Sequence, residues 1–314
     1  MFRRSDCSER VSARSGRCGA YRQGRLFDRG FWQSWQVLKL AGARLLEERD
    51  ALLVRSVLDS APVAACMVAA RVEEVGVHPL RLGGELWGYG NKLTGMCFSG
   101  ANLIPLRGGP AAMRAFADRA LRRRRVCSSL VGPAEQVLAL WNEVAAQWGP
   151  AREVRADQPL MALSEPPRVA PDPLVRPVRP DELDRYLPAA IAMFTEEVGV
   201  DPSSDGGAAS YRARVADLIA GGRAFARFEG DEVVFKAEIG ALSRTVGQIQ
   251  GVWVHPDRRS TGLGTAGTAA VADRLVRGLG RTASLYVNGY NTAARLAYRK
   301  VGFQQVGSFG TVLL

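Results

Sequence analysis

The sequence predicts a mixed α+β fold: a mostly antiparallel central sheet flanked by helices, with two such domains in tandem. Three observations carry this. Apolar runs with strand alternation interleave with runs at helical spacing. A Pro-rich stretch over residues 171–181 breaks the 314-residue chain near its middle, as a length of roughly 150 residues per domain leads one to expect. The order of segments also repeats. Ser128-Ser129-Leu130-Val131-Gly132, a helix, Gly149 and a closing strand match Ser284-Leu285-Tyr286-Val287-Asn288, a helix, Gly302 and a closing strand, at an offset of about 155 residues.

Taken in order, residues 1–35 are Arg-, Ser- and Gly-rich without apolar periodicity before Phe31, which predicts a disordered tail with order beginning near Trp35. An N-terminal domain follows over 36–170. It has strand-like runs at Ala64–Val72, Glu85–Tyr89 and Met96–Pro105, helices over Ala111–Arg124 and Ala134–Trp148, and a closing strand at Pro159–Leu163. The second domain, 171–314, opens with a short strand within Leu174–Val178. A helix then runs through Leu183, Leu187, Ile191 and Phe194, Asp201–Gly207 is a loop, and a second helix, Tyr211–Ala220, stops at Gly221-Gly222. Strands at Ala224–Glu229, Val233–Ile239 and Gln248–His255 lead through a Gly-rich turn into a helix over Gly264–Arg277. A strand (Ala283–Val287), a helix (Thr292–Lys300) and a last strand (Val306–Leu314) complete the chain.

Composition narrows the function classes. Hydrophobic residues make up 47% and charged residues 23%, a soluble globular profile. The longest nearly apolar run, Ala61–Ala70, falls short of the roughly 20 residues a spanning helix needs, and the basic N-terminus has no apolar secretory segment. The expectation is a cytoplasmic protein without a membrane partner, monomeric or homodimeric. Net charge is +11, and only four of the 42 basic residues are lysines: Lys39, Lys92, Lys236 and Lys300. A basic body suits a phosphate-bearing ligand, but no nucleic-acid module accompanies it, so nucleic acid is not the expected partner. The five cysteines are odd in number and none is spaced C-x-x-C, which argues against a disulfide framework or a zinc site. His78 and His255 each precede a proline, which holds a residue extended, and no metal site is expected.

The informative stretch is Gly251–Gly267, Gly-Val-Trp-Val-His-Pro-Asp-Arg-Arg-Ser-Thr-Gly-Leu-Gly-Thr-Ala-Gly. A β-rich run ends at His255-Pro256, a basic glycine-containing turn follows, and a helix begins. Consecutive backbone N–H groups at such a turn form a concave anion site. Gly262 and Gly264 let a diphosphate approach the backbone, and Arg258 and Arg259 add charge at the mouth. The spacing is neither the Rossmann fingerprint nor the P-loop.

Arg259-x-x-Gly262-x-Gly264 after Val-x-Val-x-Pro resembles the acetyl-CoA motif of the GNAT superfamily of N-acetyltransferases. The ending Asn291, Ala294, Leu296, Tyr298 and Gly302-Phe303 is similar to that family's closing segment. The resemblance covers about residues 174–314, and the first half looks like a degenerate GNAT-like companion. It lacks the motif, having Leu106-Arg107-Gly108-Gly109-Pro110 in its place, where the proline removes a donor. The resemblance implies an N-acetyltransferase that moves an acetyl group from acetyl-CoA to a primary amine by direct attack. In it the backbone around Val252 and Val254 pairs with the pantetheine arm. Amides of Arg259, Ser260, Thr261, Gly262, Leu263, Gly264 and Thr265 hold the pyrophosphate, and the Val254 N–H serves the oxyanion. Asn291 caps the short helix and orients the pantetheine or a water, and Tyr298 protonates the leaving thiolate.

The residues support part of this directly. Asn is a good cap before Thr292–Lys300, and Ala294 and Tyr298 lie one turn apart. Strand alternation puts Glu238 on one face with Lys236, making it the candidate general base. The alternative is a carboxylate whose pKa Lys236 lowers, a poorer base. Glu196, Glu197, Asp201 and Asp205 crowd a loop that in this family shapes the acceptor pocket and could attract a cationic amine, although charged loops are ordinarily just solvated. No cysteine falls within 174–314, which disfavours an acyl-cysteine route. The alternative reading of the whole chain is a non-catalytic module sensing acyl-CoA or a metabolite.

Overall fold

The computed structural model describes residues 42–314. The Arg-rich segment over 1–35 and the predicted start of order near Trp35 lie outside the described residues. Leu40–Leu314 form one compact unit.

In the first half β1 (Arg44–Leu45) leads to α1 (Ala51–Asp59), α2 (Pro62–Val75) and the short α3 (Pro79–Leu82). Then come β2 (Glu85–Tyr89), β3 (Gly95–Ser99), β4 (Asn102–Arg107), α4 (Pro110–Leu121), β5 (Ser129–Pro133), α5 (Ala134–Trp148) and β6 (Glu153–Leu163). The second half has β7 (Arg176–Pro177), α6 (Leu183–Val198), α7 (Ala208–Ala220), β8 (Ala224–Glu229), β9 (Glu232–Leu242) and β10 (Val246–Val254). It closes with α8 (Leu263–Asp273), β11 (Thr282–Tyr286), α9 (Thr292–Val301) and β12 (Gln304–Leu313).

Two expectations are corrected. The apolar run Ala64–Val72 is helix α2, not a strand. Pro62 occupies its first turn, where the missing N–H costs nothing, and Ala64, Ala65, Ala69 and Ala70 favour helix. Its buried residues, Ala65, Cys66, Val68, Ala69 and Val72, follow helical spacing. The run Met96–Pro105 is a hairpin, β3 and β4, turned at Gly100 and Ala101.

All twelve strands among the described residues form one sheet, in the order β1-β2-β3-β4-β5-β12-β6-β11-β10-β9-β8-β7. Adding six to each number in the first half reproduces the second half in reverse, so the sheet has an internal pseudo-two-fold plan. Each half contributes one parallel pair: β4 with β5, and β10 with β11. The last strands are exchanged. β6 of the first half pairs with β11, while β12 of the second pairs with β5, and the two lie antiparallel at the centre. Burial fixes the exchange. Met161 and Leu163 of β6 join the core of the second half, and Val312 of β12 joins that of the first.

Helix α8 packs on β9 with Gly267 against the Phe235 ring. A Cβ there would come within 2.6 Å of that ring, and Phe235 is wholly buried. Gly267→Ala should therefore overpack the core, lowering stability by about 1–3 kcal/mol, read as a fall in melting temperature with native circular dichroism retained.

Candidate active site

β10 and β11 are parallel partners only from Val246–Gln248 against Thr282–Ser284. Beyond that point they separate. A register shift between Gln250 and Trp253 leaves Gly251 and Val252 out of the ladder with β9, and Gly251 takes a left-handed φ of 57° that glycine accepts without strain. The strands diverge around a cleft of about 220 Å³ whose lining includes Val252, Gln158, Glu197, Tyr286, Asn291 and Tyr298. Trp253 pairs with Lys236, and the His255 N–H donates to the Val234 carbonyl. Alternation then turns the Val254 N–H away from β9. The Val254 carbonyl accepts from Arg259 Nε at 3.1 Å.

Gly262, at φ 89°, is the N-cap of α8, and Ser260 holds a left-handed φ of 63°, a strained conformation for a residue with a side chain. Thr261 Oγ1 donates to the Arg258 carbonyl at 2.7 Å and pins the turn. Arg259 N–H donates to Pro256 and Thr265 N–H to Gly262, so those two amides are engaged. The amides of Ser260, Thr261, Gly262, Leu263 and Gly264 have no acceptor among the described residues. The amide row is thus five residues long, narrower than the sequence suggested.

The two arginines differ from expectation. Arg258 turns to Glu229 at 2.7 Å, and Arg259 forks onto Glu196 at 2.7 and 3.0 Å, so both guanidiniums carry carboxylate partners. Glu196 also accepts from Trp253 Nε1 at 3.0 Å. The anion-binding capacity of the turn rests on its backbone amides.

On the opposite wall Asn291 caps α9 as predicted, its Oδ1 accepting from the Ala294 N–H at 3.1 Å. Tyr298 lies edge-on to Phe303, with ring centroids 6.2 Å apart, and is 7% exposed. Its hydroxyl makes no hydrogen bond among the described residues, and burial pushes its pKa up, so it stays protonated. The exchanged strands brace this wall. Thr311 Oγ1 donates to Gln158 Oε1 (2.6 Å), Gln158 Nε2 to Asn288 Oδ1 (2.7 Å), and Asn288 Nδ2 to the Tyr290 hydroxyl (2.9 Å).

Glu238 does not have the environment of a free base. Lys236 Nζ donates to it at 2.6 Å, Tyr186 at 3.3 Å and Gln250 at 3.4 Å, and both Glu238 and Lys236 are buried. Burial raises its pKa, but the Lys236 ammonium and these donors outweigh that and hold it below the usual carboxylate range. The pair lies beneath the Gly251 bulge, where a Cβ would come within 3.1 Å of Lys236 Nζ, so it supports the cleft floor.

Glu197, near the end of α6, also lines the cleft. Its side chain is exposed at the edge of the cleft, and protein packed around the carboxyl, opposed in part by Arg155 and Lys236, moves its pKa upward. Arg155 donates to its backbone carbonyl at 2.8 Å and fixes the helix end. Sequence reasoning placed Glu197 only within an acidic loop; the signal it lacked was the fold of α6 over the open strands.

His255 Nδ1 accepts from the Asp257 N–H at 3.3 Å and caps a short turn, and Cys66, Cys97 and Cys127 are free and buried. Among the described residues no group of His, Cys, Asp and Glu is arranged to hold a metal ion, and no helix is long and apolar enough to cross a membrane. In the first half β4 and β5 are parallel partners only at Asn102–Leu103 against Ser129–Leu130, and a Cβ at Gly132 would come within 3.3 Å of the Pro105 carbonyl. A Cβ at Gly108 would meet Ala112 and Met113 at 2.7 Å, and Pro110 leaves the following helix one backbone donor short.

Residues 232–309 match the family of FR47-like proteins, and residues 84–186 match a domain of unknown function (DUF4081). No curated protein matches the chain. Among solved structures, a Drosophila protein is similar at 13% identity, covering 87% of this chain and 98% of its own, with a TM-score of 0.61. A GCN5-related N-acetyltransferase from Sphaerobacter thermophilus is similar at 19% identity, covering 86% and 94%, with a TM-score of 0.51. A GNAT-family acetyltransferase from Colwellia psychrerythraea is similar at 11% identity, covering 87% and 99%, with a TM-score of 0.50. The architecture is that of the GNAT superfamily, present twice. The second half carries the separated strand pair and the amide turn.

Proposed function

We propose that the chain is an acetyl-CoA-dependent N-acetyltransferase, with residues 171–314 as the catalytic domain and 36–170 as an accessory one. The observation that carries this reading is the row of five unengaged amides, Ser260 to Gly264, on the turn that follows β10, the strand whose residues Ile249 to Trp253 line a cleft together with Tyr298. The amides would hold the pyrophosphate of acetyl-CoA, and the open edge at Val252 and Val254 would take the pantetheine arm, with Asn291 beside it. Glu197 would accept the proton of the incoming ammonium, directly or through a water. The amine nitrogen then bonds to the thioester carbonyl carbon, and the oxyanion rests on the Val254 N–H. As the carbon–sulfur bond breaks, the thiolate takes its proton from Tyr298.

The test is calorimetric titration with acetyl-CoA, followed by detection of thiol release with a panel of primary amines. Saturable binding and amine-dependent release are expected. Binding without release by any amine would leave the sensing module as the reading; absence of binding would overturn both.

A further inference from the structure

Resting on the acetyltransferase reading, we propose that the acceptor is an amine bearing an anionic group, a carboxylate or a phosphate. It would be seated in the groove between the two halves, with Arg214 taking the anion. The groove measures about 1050 Å³ and is bounded by α2 of the first half and by α7 and β9 of the second. Gln250 lines both this groove and the cleft, so the two spaces meet at that side chain. Gln250 donates to Glu238 at 3.4 Å. An amine entering from the groove therefore arrives beside the strand bulge at Gly251, where the cleft begins.

The wall from the first half is fixed in place. Cys66 of α2 is buried against Ala241 and Val246 of the second half, and Glu73 accepts from the Arg244 N–H at 2.7 Å. A groove of settled shape selects its ligand by chemistry rather than by closure.

That chemistry is set by unpaired guanidiniums. Arg71, Arg81, Arg214 and Arg223 line the groove, together with Glu73, Glu74 and Asp217. Glu73 is engaged by Arg244, and Arg71 lies over the Phe98 ring at 5.6 Å. Arg81, Arg214 and Arg223 likewise have no carboxylate within ion-pair distance among the described residues, whereas Arg244 is paired with Glu73. On α7 itself Arg212 pairs with Asp184, whereas Arg214, two residues on, is unpaired. Arg214 and Gln250 line the same groove. A free guanidinium fork in that groove suits an amine that also bears an anion. Glu74 and Asp217 disfavour a ligand that is anionic throughout.

The experiment measures thiol release from acetyl-CoA with three matched acceptors: an uncharged alkylamine, an amino carboxylate and an amino phosphate of similar length. One or both anionic amines should exceed the alkylamine in kcat/KM by about 10- to 100-fold, the range one charge-assisted contact gives, and their ranking tells carboxylate from phosphate. Arg214→Gln should raise KM for the anionic amine by a similar factor while leaving kcat, alkylamine turnover and the acetyl-CoA Kd unchanged; Arg212→Gln should change none of these. Equal turnover of charged and uncharged amines, or an Arg214→Gln loss shared by both, overturns the proposal. If no amine releases thiol, the acetyltransferase reading fails on its own. The groove is then judged by calorimetry with the amino carboxylate and amino phosphate: binding lost in Arg214→Gln supports the site, and absence of binding overturns it.

Discussion

Gly262→Glu should abolish acetyl-CoA binding while the protein still folds. Nothing lies within 4 Å of a Cβ built at Gly262, so the new side chain meets no obstacle. It does inherit a φ of 89°, which costs about 1–2 kcal/mol in a residue with a side chain. The carboxylate would stand against the diphosphate the amides are arranged to hold. At an effective dielectric of about 20, two like charges about 5 Å apart repel by about 3 kcal/mol, and a diphosphate carries at least two. A loss of affinity beyond about 100-fold is expected by calorimetric titration. Gly262→Ala provides the control, since it bears the same backbone strain without the charge and should bind much more tightly than the Glu variant. Equal affinities for the two variants would remove the amide row as the phosphate site.

Legibility in the sequence followed the range of the interactions involved. Glu85–Tyr89, Ala134–Trp148 and Ala224–Glu229 are readable to the residue because each is delimited by glycine, proline or an acidic turn. Ala64–Val72 was not, because a short apolar run fits a buried strand as well as a buried helix, and only Pro62 and the alanines lean toward helix. The amide turn was legible because its glycines act locally. The fates of Arg258 and Arg259 were not, because Glu229 and Glu196 lie 29 and 63 residues away in sequence. Glu238 stood between: Lys236, two residues earlier on the same face, was visible, but not the burial that makes the pair exclusive. The exchange of β6 and β12 had no sequence signal at all. Both are closing strands of one repeat type, and nothing local tells either which half to join. The groove that depends on docking α2 across the halves was unreadable for the same reason.

Tyr298→Phe should lower kcat by about 10²- to 10⁴-fold while leaving the acetyl-CoA Kd nearly unchanged, because the ring's packing on Phe303 survives and only the proton is lost. A loss shared equally between kcat and Kd would make Tyr298 a packing residue. Glu197→Gln should lower kcat by a similar order, and the pH profile separates the two roles. Glu197 acts as a base only when ionised, so the rate should rise with pH through a pKa above the ordinary glutamate range, and Glu197→Gln should erase that acidic limb. Tyr298, held protonated by burial, should contribute no limb at neutral pH. Stability supplies an independent readout. A carboxylate whose folded pKa is raised costs stability at pH values above that pKa, and the cost disappears below the unfolded value. Glu197→Gln should therefore melt higher than the wild type at pH 7–8, with the difference vanishing as the pH falls through the glutamate range. Because the Glu197 side chain is exposed, the stability difference should be small, and its sign and pH dependence are what the measurement reads.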